Sequence, residues 1–168
     1  MTGKTHLLGG AAAAAVYLTA AASGDFGAPD LNTIQGAVSI PLCLLGSLVP
    51  DIDLRTSTIG EKAPLVAFLV NALLGHRTFF HRPLFLAILY VWVNAHFPGI
   101  IWIVIPIIVG AASHLVLDIL NRSGVPLLWP LQTRFWIVGI KTDGQSERIL
   151  RMILAALTIL VFTRFVFS

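Results

Sequence analysis

Charge is scarce in this chain. Only 11% of its 168 residues are Asp, Glu, Lys or Arg while 57% are hydrophobic, whereas a soluble domain carries about a quarter charged residues. A water-soluble fold of this size could not bury that much apolar surface in a single core, and the mean hydropathy of +0.87 places the chain in lipid. Cysteine is almost absent. Cys43 stands alone in an apolar stretch, which excludes a disulfide framework and reads as a small buried residue. Acidic residues number eight against eleven basic ones, a formal charge of +3. Such a balance could point to nucleic acid, but the Lys and Arg residues are spread through short connecting segments rather than clustered, which excludes that partner and fits membrane topology. No internal repeat is evident.

The apolar runs that remain predict an all-α, polytopic bundle in a single membrane domain covering residues 1–168. About five spans are expected, each needing roughly 20 mostly apolar residues. The first is His6 to Ser23. Its flanking Lys4 and small residues imitate a cleavable signal, but the rest of the chain is itself membrane-spanning, so it is read as a retained helix. The second runs from Ile34 to Val49, where Pro50 closes it. Pro64 to Gly75 is apolar but too short to cross, and reads as an interfacial or re-entrant helix. Phe80 to Phe97 and Ile100 to Leu120 form a hairpin broken at Pro98-Gly99. Asn121 to Arg148 is a mixed loop, and Ile149 to Phe167 is the last span.

This order puts ten of the eleven basic residues on one side, with Arg164 alone near the other. The positive-inside bias makes that side cytoplasmic, in the cytoplasmic membrane of a bacterium or archaeon. His6, His76, His81, His114, Asp51, Asp53 and Asp118 collect on the same side from all along the sequence. His96 falls on the opposite face and reads as an interfacial histidine.

His114 and Asp118 are four residues apart on an apolar helix, so they project from one face on successive turns. An ionisable residue there is costly unless paired, solvated or coordinated; a His–Asp hydrogen bond between helices is the structural alternative. Asp51 and Asp53 set two carboxylates at the membrane boundary, where like charges call for a compensating cation, and Arg55 in a solvated loop is the alternative to metal. His76 and His81 precede the next apolar segment, and His6 enters the first helix from the same side. Imidazole and carboxylate together suit Zn foremost, with Mn or Fe next, whereas an all-oxygen set would favour Mg. The ligand candidates are therefore His6, Asp51, Asp53, His81, His114 and Asp118, followed by His76.

The motifs Thr5-His6, Gly46-Ser47-Leu48-Val49-Pro50-Asp51-Ile52-Asp53, His76-Arg77 with His81, Ser113-His114 with Asp118, and Gly124 followed by Leu127-Leu128-Trp129-Pro130 cover most of the chain. In combination they resemble the YdjM-like inner-membrane metal-dependent hydrolase family, which is distantly similar to zinc-dependent phospholipases C and P1-type nucleases. The chain departs from the family pattern at Phe80-His81-Arg82, where Thr-His-Ser is usual, and at Asn121, where Thr is frequent.

The resemblance implies a metal-dependent hydrolase, with more than one divalent ion activating water against a phosphoester. Asp51, Asp53, His81, His114 and Asp118 form its catalytic centre. Membrane placement makes a membrane lipid the expected substrate, and Val125, Leu127, Leu128, Trp129 and Pro130 are expected in the headgroup zone. Arg77, Arg82, Arg122 and Arg134 are candidate phosphate clamps, since guanidinium pairs with phosphate in a bidentate way; setting topology is their alternative role. Glu147 is a candidate base or additional ligand, or else a favourable charge at a helix N-terminus. A divalent-metal transporter or metal sensor is the competing function, and a noncatalytic scaffold is the third. Nothing in the sequence fixes an oligomeric state.

Overall fold

The computed structural model describes residues 1–24, 31–53, 81–126 and 133–167, together with isolated positions between 57 and 68. Its described residues form five α-helices: α1 (Gly3–Ser23), α2 (Thr33–Gly46), α3 (Pro83–His96), α4 (Ile101–Leu120) and α5 (Gln145–Phe167). Short 3-10 turns at Val49–Asp53 and Pro98–Ile100 follow α2 and precede α4. The segment expected as an interfacial helix, Pro64 to Gly75, lies almost entirely outside the described residues.

Each boundary has a local cause. Gly24 ends α1 in the left-handed region, at φ 69°, and returns its N–H to the Ala20 carbonyl, a conformation that glycine adopts without steric cost. Asn32 opens α2 with a reciprocal capping box to Gln35. Pro83 opens α3, where its missing N–H is harmless, and Arg82 before it is extended.

Among the described residues, three helices are long and apolar enough to cross a membrane: Gly3–Ser23, Pro98–Leu120 and Gln145–Phe167. At 1.5 Å per residue, α1 and the Pro98–Leu120 segment reach slightly beyond the ~30 Å of bilayer hydrocarbon. The other two expected spans are shorter than the apolar runs suggested. α2 and α3 have 14 residues each, about 21 Å. α2 stops at Gly46 because the chain tightens into the 3-10 turn that carries Pro50 and Asp51, and Pro83 prevents α3 from starting earlier. The last helix, in contrast, begins at Gln145, four residues ahead of the expected Ile149.

α1 packs against α2, α4 and α5, and α4 also packs against α2 and α3. Glycines set the tightest contact. A Cβ on Gly46 would come within 2.2 Å of the Ile107 carbonyl oxygen, and one on Gly110 within 2.1 Å of the Cys43 carbonyl oxygen and 2.8 Å of the Ser47 nitrogen. Small residues of this kind let helix backbones approach closely in lipid, where packing rather than water drives association. This approach delivers the end of α2 to the polar end of α4.

The segment after α4 is pinned to it by backbone bonds. Ile137 N–H donates to the Ile119 carbonyl and Ile140 N–H to the Leu120 carbonyl, both at 2.9 Å, while Val125 and Phe135 exchange bonds of 3.0 Å. Val125, expected in the headgroup zone, is instead fully buried against Leu86, Ala111 and Leu115. Leu127 to Pro130 lie outside the described residues. The exposed apolar run on this side is Phe135 to Val138.

Candidate metal centre

The start of α1, the end of α2, the start of α3 and the end of α4 meet at one end of the bundle. Each brings one or two polar side chains: His6 from α1, Asp51 from the turn after α2, His81 just ahead of α3, and His114 with Asp118 from α4. His6, His81, His114 and Asp118 are all at most 1% exposed. The side chain of Asp53 and the whole of His76, Arg77 and Arg55 lie outside the described residues.

The contacts are short and reciprocal. His6 Nε2 lies 3.4 Å from Asp118 Oδ1, and His114 Nε2 lies 3.5 Å from Asp118 Oδ2 and 3.8 Å from Asp51 Oδ1. His81 Nε2 stands 3.6 Å from Asp51 Oδ1 and 4.0 Å from Asp118 Oδ2. The rings of His6 and His114 stack with centroids 3.7 Å apart, and His81 meets His114 edge-on at 5.3 Å. The Met1 amino group donates to Asp118 Oδ1 at 2.8 Å.

His114 Nδ1 lies 2.8 Å from the Ser47 carbonyl. A carbonyl only accepts, so Nδ1 carries the proton and Nε2 presents its lone pair to the cluster, the usual way a ligand imidazole is oriented. Burial would raise the Asp51 carboxyl above its ordinary 3.8, but His81, His114 and His6 outweigh it and bring the group down to about 2. It stands ready as an anion.

Whether these residues suit a cation is decided by their unpartnered nitrogens. Both ring nitrogens of His6 and of His81, and Nε2 of His114, are buried and make no hydrogen bond, a costly state for polar groups that native proteins rarely leave unexplained. Two triads, His6 with Asp51 and His114, and His81 with His114 and Asp118, each offer ligand atoms within 4.8 Å of one another. Two ligands at 2.0–2.1 Å from a tetrahedral zinc stand roughly 3.4 Å apart, so spacings of 3.4–4.0 Å need only a small contraction. The donor set fits a divalent metal.

Glu147 faces elsewhere. Its Oε1 accepts the Thr2 N–H at 2.7 Å, the Thr2 hydroxyl at 2.8 Å and the Thr5 hydroxyl, while Oε2 accepts the Asp143 N–H at 2.6 Å. This buried carboxylate ties the start of α1 to the start of α5 one residue away from His6. It is in neither triad, and both of its oxygens accept hydrogen bonds. Arg82 is partly buried, with Nε and Nη1 unpartnered. Arg122 and Arg134 are exposed, and no described contact takes them to the cluster.

A family model described as YdjM inner membrane protein matches residues 1–168. The chain belongs to the YdjM inner membrane protein family. Among relatives of this YdjM-family chain is the uncharacterized protein YvsG of Bacillus subtilis (strain 168), 38% identical over 160 residues, which cover 95% of this chain and 91% of that one. The inner membrane proteins YdjM of Escherichia coli (strain K12) and Shigella flexneri are each 32% identical over 126 residues, 68% of this chain and 62% of theirs. No solved structure matches. Membership and the three long apolar helices agree on a membrane protein.

Two contributors to this YdjM-family site carry no signature in the sequence. The Ser47 carbonyl lies within the Gly46–Asp53 motif, but a backbone group has no residue signature. The Thr2–Thr5–Glu147 latch joins residues 142 or more apart, and its Thr5 was visible only as the neighbour of His6.

Proposed function

We propose that this chain is a metal-dependent hydrolase that cleaves a phosphoester of a membrane lipid at the cytoplasmic face. The observation that carries the reading is the buried convergence of His6, Asp51, His81, His114 and Asp118 with five imidazole nitrogens lacking hydrogen bonds. A bound divalent ion would supply activated water and polarise a phosphoryl oxygen. The chain's own part is to hold that ion's ligands: Ser47 fixes the His114 tautomer, and the Glu147 latch holds the turn that carries His6. Arg82, next to His81, has two unpartnered guanidinium nitrogens with which to bind phosphate. Arg122 and Arg134 sit on the exposed surface that a headgroup would approach.

The cluster sits at the ends of four helices, whereas transporter sites lie near the midplane, typically between repeated halves; this favours hydrolysis over transport. Among the described residues, Lys4, Arg82, Arg122, Arg134, Lys141, Arg148 and Arg151 belong to the helix ends and connections on the cluster's side, which supports a cytoplasmic orientation. The test combines metal analysis of purified protein with phosphate release from vesicles containing phosphatidic acid or a prenyl phosphate. Stoichiometric Zn or Mn and turnover lost in His114→Ala are expected. Metal-loaded protein that releases nothing from either lipid class would overturn the reading.

A further inference from the structure

We propose that a trough between α1, α4 and α5 holds the hydrocarbon chain of a phosphorylated lipid whose head lies at the His–Asp cluster, an inference that rests on reading the cluster as the seat of a lipid phosphoester. α4 and α5 both pack on α1, and no described Cα of one lies within 8 Å of a Cα of the other. They leave a cleft of about 660 Å³, floored by Ala12 and Ala13 of α1 and walled by Val116 of α4 and by Leu154 and Leu157 of α5.

The cleft begins beside the cluster. Gly9, at its upper end, is one turn beyond His6, and the spacing of His6, Gly9, Ala13 and Tyr17 puts this cluster residue on the α1 face that lines the cleft. Its outer side opens to the lipid: Val16 and Val116 are both 58% exposed and Leu157 is 46% exposed. An acyl chain can therefore enter sideways from the leaflet while its polar end meets the imidazoles and carboxylates.

Depth selects the occupant. The α1 lining runs from Gly9 to Tyr17, about 12 Å at 1.5 Å per residue, close to the roughly 15 Å of hydrocarbon in a single leaflet. A chain attached to a head in that leaflet fits this depth. A spanning helix from a second copy would need a groove across the whole ~30 Å.

The experiment uses the full chain in phosphatidylcholine nanodiscs doped with phosphatidic acid that carries a mid-chain diazirine. After photolysis, labelled residues are mapped by mass spectrometry. Label is expected on Ala12 to Val16, Val116 and Leu157, and to fall severalfold in Ala13→Trp and in the milder Ala12→Leu, each checked for retained metal and elution profile. Because every buried methylene adds to the transfer free energy, dipalmitoyl phosphatidic acid should compete at least about tenfold better than the dihexanoyl form. Equal trough labelling by a diazirine phosphatidylcholine, label spread evenly onto the outer face of α3, undiminished label in both filled variants, or cross-linking of the trough to a second copy would each overturn the proposal. Labelling needs no turnover. A lipid that labels the trough without being hydrolysed counts against the hydrolase reading alone, whereas equal hydrolysis of short- and long-chain substrates, unchanged by Ala13→Trp, counts against the trough alone.

Discussion

Replacing Glu147 separates a latch from a catalytic base. In Glu147→Ala, the Thr2 and Asp143 N–H groups lose their acceptor, and the two threonine hydroxyls, already 3.0 Å apart, can satisfy each other. The Thr2 and Asp143 N–H groups, on a half-buried and an exposed residue, lose hydrogen bonds to a charged acceptor worth about 1.5–3 kcal/mol each, and hydration of the freed groups together with relief of the carboxylate's own desolvation offsets part of this. A net loss of about 3 kcal/mol corresponds to roughly 6–12 °C in Tm for a domain of this size. Glu147→Gln keeps an oxygen for the threonines but turns an amide donor toward the Asp143 N–H, so a smaller loss of about 1–2 kcal/mol is expected. Thermal unfolding in detergent followed by intrinsic fluorescence reads both values, and metal content should fall in parallel because Thr5 is adjacent to His6. A Glu147→Gln protein that retains wild-type Tm and metal content but loses turnover would instead identify Glu147 as a base.

Further outcomes follow from the same contacts. His114 belongs to both triads, so His114→Ala should lower bound Zn or Mn, measured by mass spectrometry of the purified protein, more than His6→Ala or His81→Ala does. Gly110→Ala forces a Cβ against the Cys43 carbonyl and Ser47 and should cost about 1–3 kcal/mol by overpacking, with the loss read in the same unfolding assay; an unchanged Tm would show that α2 and α4 are less tightly engaged than described. Asp51 is held below its ordinary 3.8, at about 2, so its contribution to stability is present above pH 3.8 and is lost as pH falls toward 2; acid titration of apo protein should show this step and Asp51→Asn should lack it. Trp136, 55% exposed within the apolar run Phe135 to Val138, should be quenched by lipids brominated near the headgroup rather than at the chain ends.

Helices were legible because the hydrocarbon thickness makes apolar length a direct signal. The His114–Asp118 pair was legible because a four-residue spacing has only one meaning on a helix. Helix ends were less so. α2 and α3 proved shorter than their apolar runs, since Pro50 and Pro83 act on backbone geometry while hydropathy counts side chains. Val125 misled for a related reason: an apolar residue in a loop faces either lipid or core, and backbone pairing with Phe135 turned it inward.

Composition and pattern, by themselves, determined that the chain lives in lipid, that it is helical, and that its histidines and aspartates lie near the ends of its apolar segments. Only the packed bundle decided which of those groups meet. Glycine-mediated contact between α2 and α4 set the Ser47 carbonyl on His114, and the turn after α2 carried Asp51 to His81. Glu147 was drawn to the threonines of α1 instead of to the histidines. Periodicity fixes directions within one helix, whereas meeting across helices depends on backbone separations of a few ångströms that no single segment encodes.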